Sequence, residues 1–189
     1  MRLFEETGAY LRGHFRLTSG LHSNEYLQCA KVLAYPGYAE RLGRDLAARL
    51  REIVPGNVDV VLAPAMGGLI IGHEVARAFG VPFFFTERDA ATGGMVLRRG
   101  FEVKPGQKAL VIEDVVTTGG SSKEVVDLIR SAGGTVVAAG SIIDRSDGRA
   151  EVGAPRVALQ QLDVRTYEPE VCPLCRDGIP VVKPGSRKS

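Results

Sequence analysis

Short β-branched runs alternate with amphipathic stretches through most of this chain, and that alternation leaves few folds open. Between Tyr38 and Ile53, Leu42, Leu46, Leu50 and Ile53 recur at spacings of four, four and three, one stripe of a helix that stops before Pro55-Gly56-Asn57. Val58 to Ala63 follows as an apolar run bounded by turn formers, the pattern of a strand buried on both faces. Gly68 to Phe79 reads as a helix ending at Gly80, Pro82 to Phe85 and Ala109 to Ile112 as strands, and Ser121 to Ala132 as a helix with Val125, Leu128, Ile129 and Ala132 on one face. Val136 to Ile143 and Val157 to Leu162 complete the strands. Strand and helix in turn, with short connections, predict right-handed crossovers and an α/β fold: a parallel sheet flanked by helices on both faces. In such sheets ligands sit beyond the carboxyl ends of the strands, so chemistry is sought there.

Composition narrows the function classes. With 189 residues, 44% hydrophobic and 24% charged, the chain is long enough for one domain with a real core and excludes disordered and low-complexity classes. A net charge of +2 is too small for the broad basic face that binding a nucleic-acid backbone needs. The apolar run Val60 to Met66 falls far short of the ~20 residues that cross a bilayer, and Met1 to Glu6 holds no apolar signal core, so a cytoplasmic protein is expected. Three cysteines make no secreted disulfide framework.

The densest chemistry follows Val111-Ile112, where Glu113-Asp114-Val115-Val116-Thr117-Thr118-Gly119-Gly120-Ser121-Ser122 leads straight into a helix. Thr117 to Ser121 can turn backbone N–H groups and hydroxyls onto a phosphate, aided by the helix dipole. Glu113 and Asp114 would repel a phosphate, but they can accept hydrogen bonds from sugar hydroxyls or hold Mg²⁺ through water. Together they point to a sugar phosphate. Taken singly, such residues more often just end a strand and cap a helix. Neither a Gly-x-x-x-x-Gly-Lys-Ser/Thr loop nor a Gly-x-Gly-x-x-Gly turn is present, which argues against a nucleotide-binding oxidoreductase.

Val111 to Ser122 resembles the phosphoribosyl pyrophosphate (PRPP) motif of type I phosphoribosyltransferases. Ser19-Gly20-Leu21-His22-Ser23-Asn24-Glu25-Tyr26 and Ile142-Ile143-Asp144-Arg145 are similar to elements of the orotate phosphoribosyltransferase family, and the likeness runs from about Thr18 to Pro184-Gly185-Ser186-Arg187. The resemblance implies a single domain over residues 1–189, with a core at about 38–165 and a small hood from about 1–37 and 166–189. It implies transfer of ribose 5-phosphate from PRPP to orotate, with Mg²⁺ carried by PRPP and a homodimer sharing its active sites. PRPP would be held by Glu113, Asp114, Val115, Val116, Thr117, Thr118, Gly119, Gly120 and Ser121, with Met66 and Gly67 in the pyrophosphate loop Ala63 to Gly68. Orotate would meet Thr117, Arg145 and Tyr26; a guanidinium such as Arg145 can pair with a carboxylate through two parallel hydrogen bonds. Asp114 and Arg88 would carry catalysis, with Arg88 also binding PRPP at its pyrophosphate and Arg98 or Arg99 in reserve.

Several positions depart from the family. The stretch Thr86 to Val96, where many members carry a Lys- and His-rich mobile loop, has Arg88 as its only cation, with Arg98 and Arg99 just beyond. Its polar, glycine-containing composition predicts mobility without ligand. Gly67 stands where Lys is frequent, and Thr18 where a basic residue is frequent. Cys172-Pro173-Leu174-Cys175 resembles a zinc knuckle but supplies two of the four ligands structural zinc takes, and His14, His22 and His73 show no ligand spacing. The competing readings are a phosphoribosyltransferase for another nucleobase and a non-catalytic PRPP-binding regulator.

Overall fold

The computed structural model describes residues 1–17, 19–54 and 56–184. Thr18 and the Gly185 to Arg187 end of the C-terminal likeness lie outside these residues. In chain order the elements are α1 (Arg2–Glu6), β1 (Tyr10–Arg16), β2 (His22–Leu27), α2 (Cys29–Leu33), α3 (Pro36–Ile53), β3 (Val60–Pro64), α4 (Gly68–Phe79), β4 (Phe83–Arg88), β5 (Met95–Leu97), β6 (Lys108–Val116), α5 (Gly120–Ser131), β7 (Thr135–Asp144), β8 (Arg156–Gln161), β9 (Thr166–Tyr167) and α6 (Pro173–Arg176). They fall into two compact units, Leu33–Leu162 and the pair of segments Met1–Val32 and Asp163–Ser189.

The larger unit is built on a six-stranded sheet of order β5-β4-β3-β6-β7-β8. Strands β4, β3, β6, β7 and β8 run parallel, as their near-continuous apolar sequences predict. The sheet is mixed rather than wholly parallel, because β4 runs on to Arg88 and folds back antiparallel onto β5. Asp89 makes that turn: its Oδ1 accepts the N–H groups of Ala91 and Thr92, both at 2.9 Å. Strand β5 is only Met95-Val96-Leu97 and pairs with the polar end of β4, Thr86-Glu87-Arg88, so it is too short to stand out in the sequence.

Alternation along the strands splits the core in two. Leu110 and Ile112 face the layer of α3 and α4, where Leu46, Leu50 and Ile71 are fully buried. Ala109 and Val111 face α5, whose Val125, Val126 and Ile129 close over Val60, Leu62, Val136 and Ala139. Each large apolar side chain so buried contributes roughly 1.5–3 kcal/mol. Helix α3 begins at Pro36, two residues before the expected start, because proline suits the first helical position.

The smaller unit is a three-stranded antiparallel sheet of order β1-β2-β9. Ser23 Oγ donates to Arg165 O at 3.0 Å, and Val182 is bracketed by Arg16 N and His14 O at 2.9 and 2.8 Å. Its two ends of sequence are therefore laced into one sheet.

Candidate active site

Strand order reverses between β3 and β6: the chain leaves β3 toward β4 on one side and β6 toward β7 and β8 on the other. A crevice opens at such a switch point, outside the carboxyl ends of the two strands. The two loops that meet there are Ala65-Met66-Gly67, after β3, and Thr117-Thr118-Gly119, after β6.

Strand β6 continues to Val116, so Glu113 and Asp114 lie within it rather than beyond its end. Adjacent strand residues point to opposite faces. Glu113 reaches α5, where Ser122 Oγ donates a hydrogen bond to its carboxylate. Asp114 turns the other way, against Gly67 at the head of α4, and its Oδ1 accepts the Val115 N–H at 2.9 Å. Burial pushes the Glu113 carboxyl up from its ordinary 4.5 to about 7; the Ser122 hydrogen bond opposes the rise and the neighbouring Asp114 charge adds to it. Burial likewise raises Asp114, against the Val115 N–H.

The raised Glu113 value has a thermodynamic consequence. Its protonated form is favoured in the folded state, so the stability it contributes is complete below about pH 4.5 and is lost as pH rises through about 7. Glu113→Gln, a mimic of the protonated acid, should match the wild-type melting temperature at pH 5 and exceed it at pH 8. The gain at pH 8 is expected to be on the order of 1–3 kcal/mol. Equal melting at both pH values would mean that the carboxyl is not desolvated.

Gly67 is explained by contact. A Cβ there would lie 2.4 Å from Asp114 Oδ1 and 2.8 Å from its Cγ, so no side chain fits without displacing the carboxylate. The peptide Ala65–Met66 is cis, Ala65 N donates to Thr86 O at 2.8 Å, and Met66 is 81% exposed. Gly119 holds φ +81° as the residue before α5, and a Cβ there would lie 2.9 Å from Val152 Cγ1 and 3.2 Å from Ala150 Cβ, so both the turn and the close packing require glycine. Gly119, before α5, has no side chain to cap the helix; the Gly120 N–H donates to exposed Thr118 Oγ1 at 3.4 Å, and the other first-turn N–H groups and the helix dipole face an anion beside Thr117.

Parallel register pairs Val116 with Asp144, and Arg145 N donates to Val116 O at 2.8 Å. The residues that follow, Thr117 and Arg145, are thereby neighbours at the crevice. Asp144 itself is fully buried and turned inward: Arg156 Nη1 at 2.6 Å, Ser146 Oγ at 2.6 Å and Ser146 N at 2.7 Å all donate to it. Burial alone would raise its carboxyl, but the Ser146 and Arg156 hydrogen bonds outweigh burial and hold it below its usual range. Asp144 thus braces the turn that presents Arg145.

The full chain is similar to orotate phosphoribosyltransferase of Pelotomaculum thermopropionicum, 54% identical over 186 residues that cover 98% of this chain and 95% of the relative. The enzyme of the same name from Carboxydothermus hydrogenoformans is 54% identical over 188 residues, covering 99% and 96%. The chain belongs to the orotate phosphoribosyltransferase family. Residues 36–170 match the phosphoribosyl transferase domain model, which embraces every residue of the phosphoribosyltransferase crevice described above. Orotate phosphoribosyltransferase from Aeropyrum pernix superposes with a TM-score of 0.70 at 25% identity, over 85% of this chain and 92% of that one. Adenine phosphoribosyltransferase from Thermoanaerobacter pseudethanolicus, at 0.65 and 18%, shares the fold.

Other expected positions of this phosphoribosyltransferase fall elsewhere. Arg88 ends β4 in a two-pronged ion pair with Glu124 of α5, at 3.1 and 3.2 Å, and donates to Gly93 O. Arg98 and Arg99 pair with Asp89 at 2.6 Å and Glu87 at 3.0 Å, so the stretch that matches the family's mobile loop is here a hairpin knitted by its own charges. Tyr26 belongs to the smaller unit, where its hydroxyl donates to Gln28 Oε1 at 2.8 Å. Cys172 and Cys175 lie there too, beside His14 and His22, a gathering the sequence spacing of the histidines does not show. Ser122, Glu124 and Arg156 hold Glu113, Arg88 and Asp144 across 9, 36 and 12 residues of sequence, separations that no local spacing rule reads.

Proposed function

We propose that this chain transfers ribose 5-phosphate from PRPP to orotate, forming orotidine 5-phosphate and pyrophosphate in the cytoplasm. What supports the proposal is the meeting at one switch point of a paired acid, a glycine-headed helix start and an arginine in register beside them. Each part has a task that its chemistry suits. The α5 N-terminus with Thr117 to Ser121 takes the 5-phosphate. Glu113 and Asp114 accept hydrogen bonds from the ribose hydroxyls and place negative charge near the anomeric carbon, which turns cationic as pyrophosphate leaves. Arg145 pairs with the orotate carboxylate and aims the ring nitrogen at that carbon.

PRPP would bring Mg²⁺, and the donor set suits a hydrated ion: both carboxylates are hard oxygen ligands already holding one protein donor each. When bound, that ion neutralises charge on the departing pyrophosphate. The direct test is orotate consumption followed by absorbance with PRPP and Mg²⁺. Consumption of adenine or uracil in place of orotate would reassign the base, and PRPP binding without turnover on any base would make the chain a regulator.

Arg88 is the cation we assign to the pyrophosphate, on a homodimer whose β4–β5 hairpin serves the partner's site. An exposed ion pair such as Arg88–Glu124 is worth about 0–1 kcal/mol, so a polyanion can recruit the guanidinium at little cost. Arg88→Ala should lower kcat at least about tenfold and leave the melting temperature within a degree or two of wild type. Mixing it with Asp114→Asn should restore part of the activity, because a hybrid dimer contains one intact site. Full activity in Arg88→Ala would remove the residue from catalysis, and failed rescue would place it in its own subunit's site.

A further inference from the structure

We propose that His14, His22, Cys172 and Cys175 form a tetrahedral structural zinc site in the smaller unit. Their ligand atoms all lie within 4.8 Å of one another. Cys172 Sγ and Cys175 Sγ lie 3.6 and 3.7 Å from His14 Nε2, and Cys175 Sγ lies 3.3 Å from His22 Nδ1. Zinc bonds of about 2.0–2.1 Å to nitrogen and about 2.3 Å to sulfur, at tetrahedral angles, put nitrogen and sulfur about 3.6 Å apart. The observed separations bracket that value. The two histidine nitrogens, 2.8 Å apart, stand at hydrogen-bond distance and would open by about half an ångström around the ion.

The protonation pattern favours a metal as well. His14 Nδ1 is 2.7 Å from Ile179 O, and a carbonyl only accepts, so Nδ1 carries the proton and Nε2 turns its lone pair into the cluster. A backbone carbonyl orienting the far nitrogen of a ligating histidine is the usual outer support of a zinc ligand. Metal binding moves the His22 Nδ1 proton to its other nitrogen and releases one proton from each thiol, giving two thiolates and two neutral imidazoles around Zn²⁺. Four protein ligands leave no open coordination position, so the ion holds structure and does no chemistry.

Local structure shows how the ligands converge. Arg16 pairs with His22 across the β1–β2 ladder, and at the irregular register between Arg12 and Phe15 the His14 ring meets that of His22 edge-on, with centroids 4.7 Å apart. Cys172 precedes the single turn of α6, which brings Cys175 round to the same side. His14, His22 and Cys172 are 2%, 6% and 2% exposed. The ion would therefore pin the N-terminal hairpin to a segment 158 residues away, in a unit whose apolar core is small.

The test uses the full-length protein purified under reducing conditions without added metal. Elemental analysis should find about one zinc per chain. Exchange with cobalt(II) should give intense visible bands of tetrahedral coordination and a near-ultraviolet thiolate-to-cobalt charge-transfer band. Cys175→Ser, at the exposed corner, should lose metal affinity by more than about a hundredfold, beyond the 10- to 100-fold typical of outer-sphere changes, and its melting temperature should no longer respond to a chelator. His73→Ala, which alters a histidine of α4 outside the cluster, should keep the metal. A folded, reduced wild type that binds neither zinc nor cobalt would overturn the site, as would an unchanged cobalt spectrum in Cys175→Ser or a Cys172–Cys175 disulfide that forms in preference to metal binding.

Discussion

Asp114→Asn should retain the fold and lose about 10²- to 10³-fold in kcat, equivalent to about 2.7–4 kcal/mol of transition-state stabilisation. The amide is isosteric, so its oxygen can still accept the Val115 N–H and lie against Gly67. What disappears is charge. Asp114 is held in a setting that raises its pKa by desolvation, meaning that the folded protein bears an unfavourable cost to keep a carboxylate there. Removing the charge should leave stability unchanged or improved while the reaction loses its partner for the cationic sugar. PRPP affinity, measured by calorimetry without orotate, should fall far less than kcat. A variant that loses stability and activity together would mark Asp114 as a support for the Gly67 loop instead.

Arg145→Ala should weaken orotate by about 2–5 kcal/mol, roughly 30-fold or more in kcat/KM for the base, with PRPP binding changed little. The prediction rests on division of labour at the crevice, since PRPP is assigned to the loop after β6 and Arg145 enters from the end of β7. Asp144, already satisfied by Arg156 and Ser146, does not depend on its neighbour's side chain, so the turn should survive the substitution. Equal weakening of both substrates would show that Arg145 shapes the shared pocket and would reopen the choice of base.

Much of this architecture is legible in the sequence for a plain reason. Strands buried on both faces, such as Val60–Pro64 and the first half of β6, cannot carry polar residues, so they stand out as apolar runs, and the bounds expected for α4 coincide with those observed. The acid pair and the Thr-Gly-Gly-Ser turn are visible because they are contiguous. The divergence of Glu113 and Asp114 to opposite faces follows from strand alternation once β6 is known to extend through them. Less visible are β5, three residues long and paired with the polar end of β4, and the engagement of Arg88 by Glu124, two residues 36 apart in sequence. The His14, His22, Cys172 and Cys175 cluster is hidden for the same reason: its spacing belongs to a hairpin and a distant turn, and tertiary structure alone makes it one object.

The two units differ in how the growing polypeptide can reach them. Leu33–Leu162 is continuous, so every strand of its sheet is available once β8 has left the ribosome. The smaller unit is not: β1 and β2 precede that stretch, yet the third strand, β9, and the Val182 bridge to β1 come from sequence beyond Leu162. The N-terminal hairpin must wait, as an isolated two-stranded ribbon of marginal stability, while the rest of the chain is synthesised and folds. For β1 and β2 the order of synthesis therefore runs opposite to the order of completion: they are translated before the continuous unit and secured after it.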